Sequence, residues 1–102
     1  MNDELKGKTA LVTGSSRGIG RAAAVAMARA GADVAVNYLA NEVEAKKTCA
    51  EIEQTGRRSI AIRADVSLSH DVSRLLKEVR ESLGDVSILV NNAGIGTTKA
   101  VL

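Results

Sequence analysis

Three glycines, at positions 14, 18 and 20, lie where an apolar run meets an alanine-rich stretch. They belong to the segment Thr13-Gly14-Ser15-Ser16-Arg17-Gly18-Ile19-Gly20. Because glycine has no Cβ, the backbone can turn sharply there, approach a pyrophosphate closely and let the following helix pack tightly on the strand. The helix N-terminus then directs free N–H groups at the anion. The spacing G-x-x-x-G-x-G therefore predicts a dinucleotide-binding turn, distinct from both G-x-G-x-x-G and the G-K-[ST] of a P-loop.

The elements that must position this turn alternate along the chain. Short apolar runs predict four strands, over residues 8–13, 33–38, 59–65 and 86–90. Helices are predicted over residues 19–30 and 41–55, and a third begins near Ser69, its expected N-cap. That third helix is the clearest, because its apolar residues fall on one stripe at helical spacing. The members of the stripe are Val72, Leu75, Leu76, Val79 and Leu83.

Strands that alternate with helices over short connections predict a parallel sheet with right-handed crossovers. We expect an α/β fold, a partial Rossmann-type doubly wound sheet with strand order 3-2-1-4 and the glycine turn at its carboxyl edge. Residues 1–102 would then be the N-terminal dinucleotide-binding half of such a domain, without the catalytic half. The apolar fourth strand would expose an unpaired edge. A complementing chain or an oligomer contact through that strand is therefore expected.

Composition and charge argue against several other classes of protein. The formal net charge is +2 with basic and acidic residues interspersed, and Tyr38 is the only aromatic residue, so no nucleic-acid partner is expected. No apolar run approaches the roughly 20 residues that span a bilayer, and the first residues are acidic where a signal peptide is basic. Cys49 is the only cysteine and His70 the only histidine. A cytoplasmic protein without a metal site is the expectation.

Three motifs, in order, resemble the short-chain dehydrogenase/reductase family. They are Thr-Gly-x-x-x-Gly-x-Gly after the first strand, Asp65-Val66 after the third and Asn91-Asn92-Ala93-Gly94 after the fourth. The resemblance covers essentially the whole chain. It implies an oxidoreductase with a dinucleotide cofactor. The pyrophosphate and adenosine ribose of that cofactor would be surrounded by Gly14, Ser15, Ser16, Arg17, Gly18, Ile19 and Gly20.

The same resemblance assigns the rest of the cofactor contacts. Asp65 would accept a hydrogen bond from the adenine amino group, with the Val66 N–H alongside. Asn92, Ala93 and Gly94 would line the ribose region, whereas Asn91 would tie the fourth strand to its neighbours. Asp65 is also the kind of residue found in an ordinary turn before a helix.

Cofactor choice depends on the end of the second strand. An NAD-selective site commonly has an acidic residue about 20 residues beyond the glycine turn, which binds the ribose 2′-hydroxyl and repels a 2′-phosphate. Here Asn37 and Tyr38 occupy that place in the predicted site, and no carboxylate follows them directly. Arg17 offers a planar, charged group that suits a phosphate. NADP(H) is therefore preferred over NAD(H). The alternative is that Arg17 is only a solvated loop residue and that Glu42 or Glu44 lies near the ribose.

The family's catalytic residues are a tyrosine, a lysine four residues later and an upstream serine, all beyond Asn-Asn-Ala-Gly. None is present, so no catalytic residue is assigned and the chain alone is expected to be inactive. Leu5-Lys6-Gly7-Lys8, the glycine turn and Val36-Asn37-Tyr38 look most like the 3-oxoacyl-[acyl-carrier-protein] reductase branch, in fatty acid biosynthesis. The parent would reduce a ketone such as a 3-oxoacyl thioester. A sugar or other alcohol dehydrogenase and a noncatalytic nucleotide-binding or interaction fragment remain alternatives.

Overall fold

Four parallel strands form one sheet, on which the three helices of the computed structural model pack; residues 3–14 and 18–92 are described. The strands are β1 Thr9–Thr13, β2 Asp33–Tyr38, β3 Ser59–Arg63 and β4 Ile88–Asn91. The helices are α1 Gly18–Arg29, α2 Glu42–Gln54 and α3 Ser69–Ser82. The strand order is β3-β2-β1-β4. This confirms the predicted Rossmann-type α/β fold and its order 3-2-1-4.

The central strands β1 and β2 are buried on both faces, as their continuous apolar sequences predict. Leu11 of β1 pairs with Ala35 of β2 on one side and with Leu89 of β4 on the other. Since all the pairs are parallel, every strand ends at the same edge of the sheet. The glycine turn therefore begins at the middle of that edge.

The two faces of the sheet are covered by different helices. Helices α1 and α2 pack on one face through small and medium residues such as Ala24, Ala28 and Ile52. Helix α3 packs on the other face through Leu75 and Val79, two residues of the predicted stripe. The small residues of α1 allow its backbone to lie close to β1, which brings its N-terminus to the end of that strand.

The start of α3 differs from the prediction. Ser69 is the first helical residue, and the N-cap is Leu68, which has no side-chain capping bond. The Ser69 prediction was wrong by one residue because the turn before the helix is closed instead by the Asp71 carboxylate, which accepts from the Asp65 N–H at 2.8 Å. In α2 the cap is Asn41, whose side chain accepts from the Glu44 N–H.

Side-chain hydrogen bonds also set the ends of the flanking strands. The predicted strand 86–90 starts later, at Ile88, since the Thr9 N–H donates to the Ser87 hydroxyl rather than to a backbone carbonyl. The predicted strand 59–65 stops at Arg63, because the Asp65 N–H is taken up by Asp71. β1 begins at Thr9 rather than at residue 8, and α1 spans residues 18–29 rather than 19–30.

Candidate functional site

Gly14, the first residue after β1, is held from both sides by asparagine side chains. Its N–H donates to Asn37 Oδ1 at 3.2 Å, and its carbonyl accepts from Asn92 Nδ2 at 3.1 Å. Asn37 belongs to β2 and Asn92 follows β4, the two strands that flank β1. Gly14 has φ of 61°, a left-handed conformation that favours glycine. The start of the glycine turn is thus fixed between its two neighbouring strands.

Thr13 and Asn91 connect the ends of β1 and β4. The Thr13 hydroxyl donates to Asn91 Oδ1 at 3.1 Å and accepts from the Asn92 N–H at 3.0 Å. These bonds join the side chain of Asn91 to β1, as was predicted for this residue. They also set the direction in which Asn92 leaves the sheet, which is toward Gly14.

The N-terminus of α1 follows the glycine turn. Gly18 is the first residue of the helix and has φ of 66°. Apart from its chain neighbours and the backbone of its own helix, no described atom lies within 4 Å of where a Cβ would be. Ile19 is exposed, and Gly20 is buried. The first turn of α1 contains no acidic residue that would repel an anion from its N–H groups. Three predicted site residues, Ser15, Ser16 and Arg17, lie outside the described residues, as do Ala93 and Gly94.

A cavity of about 210 Å³ opens beside Gly14 at the carboxyl edge of the sheet. It brings together four predicted site residues from three strand ends: Gly14, Asn37, Asp65 and Val66. The sequence did not predict three of its lining residues, Leu39, Ala64 and Ser67, although each lies next to a predicted one. The cavity is lined by Gly14, Asn37, Leu39, Ala64, Asp65, Val66 and Ser67.

Asp65 is held in a tight turn by Ser67. Its Oδ1 accepts from the Ser67 hydroxyl at 2.6 Å and from the Ser67 N–H at 3.0 Å. These two hydrogen bonds lower the pKa of the Asp65 carboxyl below its ordinary value, and the bond from the Ser67 hydroxyl has the larger effect. The carboxylate is therefore ionised at neutral pH and remains an acceptor at the wall of the cavity. Asp65 therefore has both features that the sequence suggested: it closes a turn before a helix, and it lines the candidate cavity.

Asn37 and Tyr38, both predicted at the cofactor site, lie inside the protein. Asn37 is 2% exposed and its Nδ2 donates to the Ala64 carbonyl at 3.1 Å. Tyr38 is 8% exposed and belongs to the apolar cluster that α1 and α2 cover. Asn37 therefore reaches the cavity wall, whereas the cavity lining does not include Tyr38.

A larger cavity, of about 500 Å³, lies between α1 and α2. Its lining includes Val25, Arg29 and Gln54 but no residue from the ends of the strands. The smaller cavity is the better candidate because Gly14, Asn37 and Asp65 converge on it. Within residues 3–14 and 18–92, no group of three or more histidine, cysteine or acidic side chains could hold a metal ion.

The remaining polar candidates do not extend the site. Cys49 is buried, and burial raises the pKa of its thiol. His70 is exposed beside Asp71 at the start of α3. In the part of the chain that the structure describes, the helices are too short or too polar to cross a lipid bilayer.

A family model described as short chain dehydrogenase matches residues 8–102. An L-rhamnose 1-dehydrogenase (NAD(P)(+)) of a Sphingomonas species is 47% identical over 91 residues, which cover 89% of this chain and 36% of that protein. A 3-oxoacyl-[acyl-carrier-protein] reductase of Staphylococcus epidermidis is 48% identical over 88 residues, covering 86% and 36%. The chain thus spans about a third of the length of these curated relatives.

Solved structures agree with the sequence matches. A short chain dehydrogenase from Burkholderia cenocepacia, in complex with NADP, superposes with a TM-score of 0.85 at 49% identity, over 89% of this chain and 37% of that one. A dehydrogenase/reductase from Sinorhizobium meliloti gives a TM-score of 0.86 at 46% identity, over 91% and 37%. This chain therefore shares its fold with these structures, and nearly half of its aligned residues are identical to theirs.

Proposed function

Because the chain belongs to the short-chain dehydrogenase/reductase family of oxidoreductases, we propose that it forms the adenosine diphosphate half of an NADPH site. One observation carries this proposal: Gly14 at the start of the glycine turn, the Asp65 turn and the Asn37 amide converge on a single cavity at the carboxyl edge of the sheet. Ligands of open α/β sheets bind at this edge, where the winding direction reverses between β1 and β4.

The pyrophosphate is assigned to the turn and the start of α1. Two left-handed glycines, Gly14 and Gly18, shape the backbone there, and the open space at Gly18 leaves room for an anion. The helix N-terminus supplies N–H donors and positive potential. The proposed contacts of the pyrophosphate and its adjoining ribose are Gly14, Ser15, Ser16, Arg17, Gly18, Ile19 and Gly20.

The adenine is assigned to the cavity between the ends of β2 and β3. The ionised Asp65 carboxylate suits the adenine amino group as an acceptor, and the Val66 N–H suits a ring nitrogen. Leu39 and Ala64 supply apolar walls. On the other side of Gly14, we assign Asn92, Ala93 and Gly94 to the ribose region. The site therefore fits the adenosine end of a dinucleotide.

The preference for NADPH over NADH rests on charge at the end of β2. No carboxylate directly follows Tyr38, and the nearest glutamates are in ion pairs on α2. Glu42 pairs with Lys46 at 3.4 Å, and Glu44 pairs with Lys47 at 3.2 Å and with Arg21 at 3.4 Å. A 2′-phosphate would therefore meet no close repulsion here, and Arg17 would supply the attraction.

NADPH when bound supplies a hydride, and this chain's residues would bind and orient its adenosine half. We propose a ketone such as a 3-oxoacyl thioester as the substrate of the whole protein, in the cytoplasm. The reductase and the sugar dehydrogenase match almost equally, at 48% and 47% identity. An alcohol or sugar substrate is therefore the second candidate, since both matches cover the nucleotide half.

Nucleotide affinity tests the proposal directly. We expect titration calorimetry on the purified chain to show tighter binding of NADPH than of NADH. Arg17→Ala should weaken NADPH binding about tenfold, as expected for one charge-assisted phosphate contact, and weaken NADH binding less, because NADH lacks the 2′-phosphate. Lys77→Ala, which removes an exposed charge from α3, is the control. Equal affinities for the two cofactors would refute the preference, and binding of neither would refute the site.

The partner proposed for this chain pairs with β4. Three apolar residues of that strand, Ile88, Leu89 and Val90, are half-buried, and β1 is the only strand paired with it among the described residues. We propose that a further strand from outside residues 1–102 pairs with the other edge of β4 and brings the catalytic residues. The alternative is a noncatalytic nucleotide-binding fragment. An assay of NADPH oxidation with a 3-oxoacyl thioester distinguishes them, because only the enzyme gains activity when the remaining two thirds of a related reductase are added.

A further inference from the structure

We propose that Asn37 is a positioning residue whose buried amide sets the spacing between the glycine turn and the adenosine cavity. The inference rests on the proposed function in that the cavity takes adenosine. It differs from a direct contact with the cofactor, since the side chain acts through the backbone of two other strands. Asn37 lies in β2, between the strand that begins the turn and the strand that leads to Asp65.

The hydrogen bonds of Asn37 reach in opposite directions. Its Oδ1 accepts from the Gly14 N–H at 3.2 Å, on the β1 side. Its Nδ2 donates to the carbonyls of Ala64 at 3.1 Å and Ile62 at 3.4 Å, on the β3 side. These partners fix the orientation of the amide, because an N–H requires an oxygen and a carbonyl requires an N–H. A single side chain therefore joins three strand ends.

Asn37 lies where the backbone pairing between β1 and β2 stops. Val12 with Val36 is the last pair between these two strands, whereas β1 stays paired with β4 at Thr13 and β2 with β3 at Asn37. Gly14 and Asn37 lie on the two sides of the gap that follows this last pair, and both line the cavity. The Asn37 amide replaces the missing backbone bond across that gap. Its length consequently determines how far apart the two sides of the site lie.

Burial makes the amide hard to replace. Asn37 is 2% exposed, so water cannot take over a bond that a substitution removes. Aspartate has the same shape and keeps an acceptor for the Gly14 N–H, but it would direct a carboxylate oxygen at the Ala64 and Ile62 carbonyls. Leucine has a similar volume and makes neither bond. Asn37→Asp therefore removes only the bonds toward β3, whereas Asn37→Leu also removes the bond to Gly14.

The experiment combines amide hydrogen exchange with nucleoside binding, both measured by NMR on the whole chain. Adenosine is the probe because it is uncharged, so a new carboxylate cannot repel it through phosphates. For Asn37→Asp we expect about tenfold weaker adenosine binding with the Gly14 amide still protected. For Asn37→Leu we expect the same loss together with exchange of the Gly14 amide that is at least tenfold faster.

Thr48→Val is the matched control. Thr48 is also a fully buried polar residue, but its hydroxyl donates to the Glu44 carbonyl within α2, away from the cavity. We expect it to lower thermal stability while leaving the Gly14 amide and adenosine binding unchanged. If Asn37→Leu does not fold, Asn37→Ser, whose shorter side chain cannot span the gap, takes its place.

Several outcomes would overturn the inference. One is a Gly14 amide that exchanges equally slowly without the Asn37 acceptor. Another is adenosine affinity that follows stability alone, so that Thr48→Val weakens it as much as Asn37→Asp does. Failure of the proposed function looks different, since the unsubstituted chain would then bind no nucleotide while the Gly14 amide still responded to Asn37→Leu.

Discussion

The two central strands and the two flanking strands differ sharply in burial. Every residue of β1 is buried, and so is every residue of β2 after Asp33. Most residues of β3 and β4 are half-buried, and each strand ends in an exposed residue. The central strands have a neighbour on both sides and helices on both faces, whereas each flanking strand has one neighbour among the described residues. The sheet is therefore most tightly packed where the glycine turn begins.

The difference shows how the site is assembled. Gly14 and Asn37 belong to or directly follow the central pair and are hydrogen-bonded to each other, which fixes the start of the glycine turn. Asp65 and Asn92 follow the flanking strands. The side chain of Asn92 donates to Gly14, and the carbonyl of Ala64, just before Asp65, accepts from the side chain of Asn37. Local stability generally decreases as burial decreases, so the flanking contacts are the ones that can adjust to a ligand. Hydrogen exchange should show slower amides in β1 than in β4.

The largest expected effect comes from shortening paired leucines in the two regions. Leu11 and Leu89 are register partners in β1 and β4 and pack into the same apolar cluster, but Leu11 is 2% exposed and Leu89 is half-buried. Leu11→Ala should lower the free energy of unfolding by about 2–5 kcal/mol. Leu89→Ala should cost about half as much or less, since the loss scales with buried area. Urea denaturation measures both, and equal losses would contradict the comparison.

The glycines that lead into the two regions give the next effect. Gly31 precedes β2 with φ of 110°, and a Cβ there would lie 3.0 Å from the Lys6 backbone nitrogen. Gly56 precedes β3 with φ of 90° and open space around it. Alanine at either position is strained by about 1–3 kcal/mol. Because Gly31→Ala also forces two backbone segments apart, thermal denaturation should show the larger loss for Gly31→Ala, and the reverse order would refute this account.

Much of the fold could be predicted from the sequence, since buried parallel strands are continuous apolar runs. The bounds of β2 were exact, and the predicted ends of α2 are its two capping residues, Asn41 and Thr55. The errors at the starts of β4 and α3 arose where side-chain hydrogen bonds took the place of backbone or capping bonds. Ser87 delayed the start of β4, and Asp71 closed the turn that Ser69 was expected to cap. Side-chain hydrogen bonds of this kind do not change the hydropathy pattern of the sequence.

The site was less predictable than the fold. Motif spacing placed Gly14, Asp65 and Val66 at one edge, and the structure brings them to one cavity. Motif spacing could not show that the Asn37 amide points between strands, because its direction depends on where β1 and β2 separate. Ser67 was missed because it acts by holding Asp65, a role that only the distances reveal.

The smallest expected effect is the pH dependence of the flanking turn. The Asp65 N–H, foremost among several causes, lowers the pKa of Asp71 below its ordinary value. A lowered pKa in the folded state means that the ionised carboxylate contributes stability above the unfolded value of about 3.9, and that this contribution is lost as the pH falls through the folded value. Asp71→Asn cannot titrate. The stability difference between the original chain and this variant, measured by urea denaturation, should therefore shrink as the pH falls from neutrality to below 3. Glu81→Gln removes a charge from the same helix without touching the Asp65 backbone, and a matching pH response there would show that overall charge, rather than this hydrogen bond, sets the acid stability of the turn.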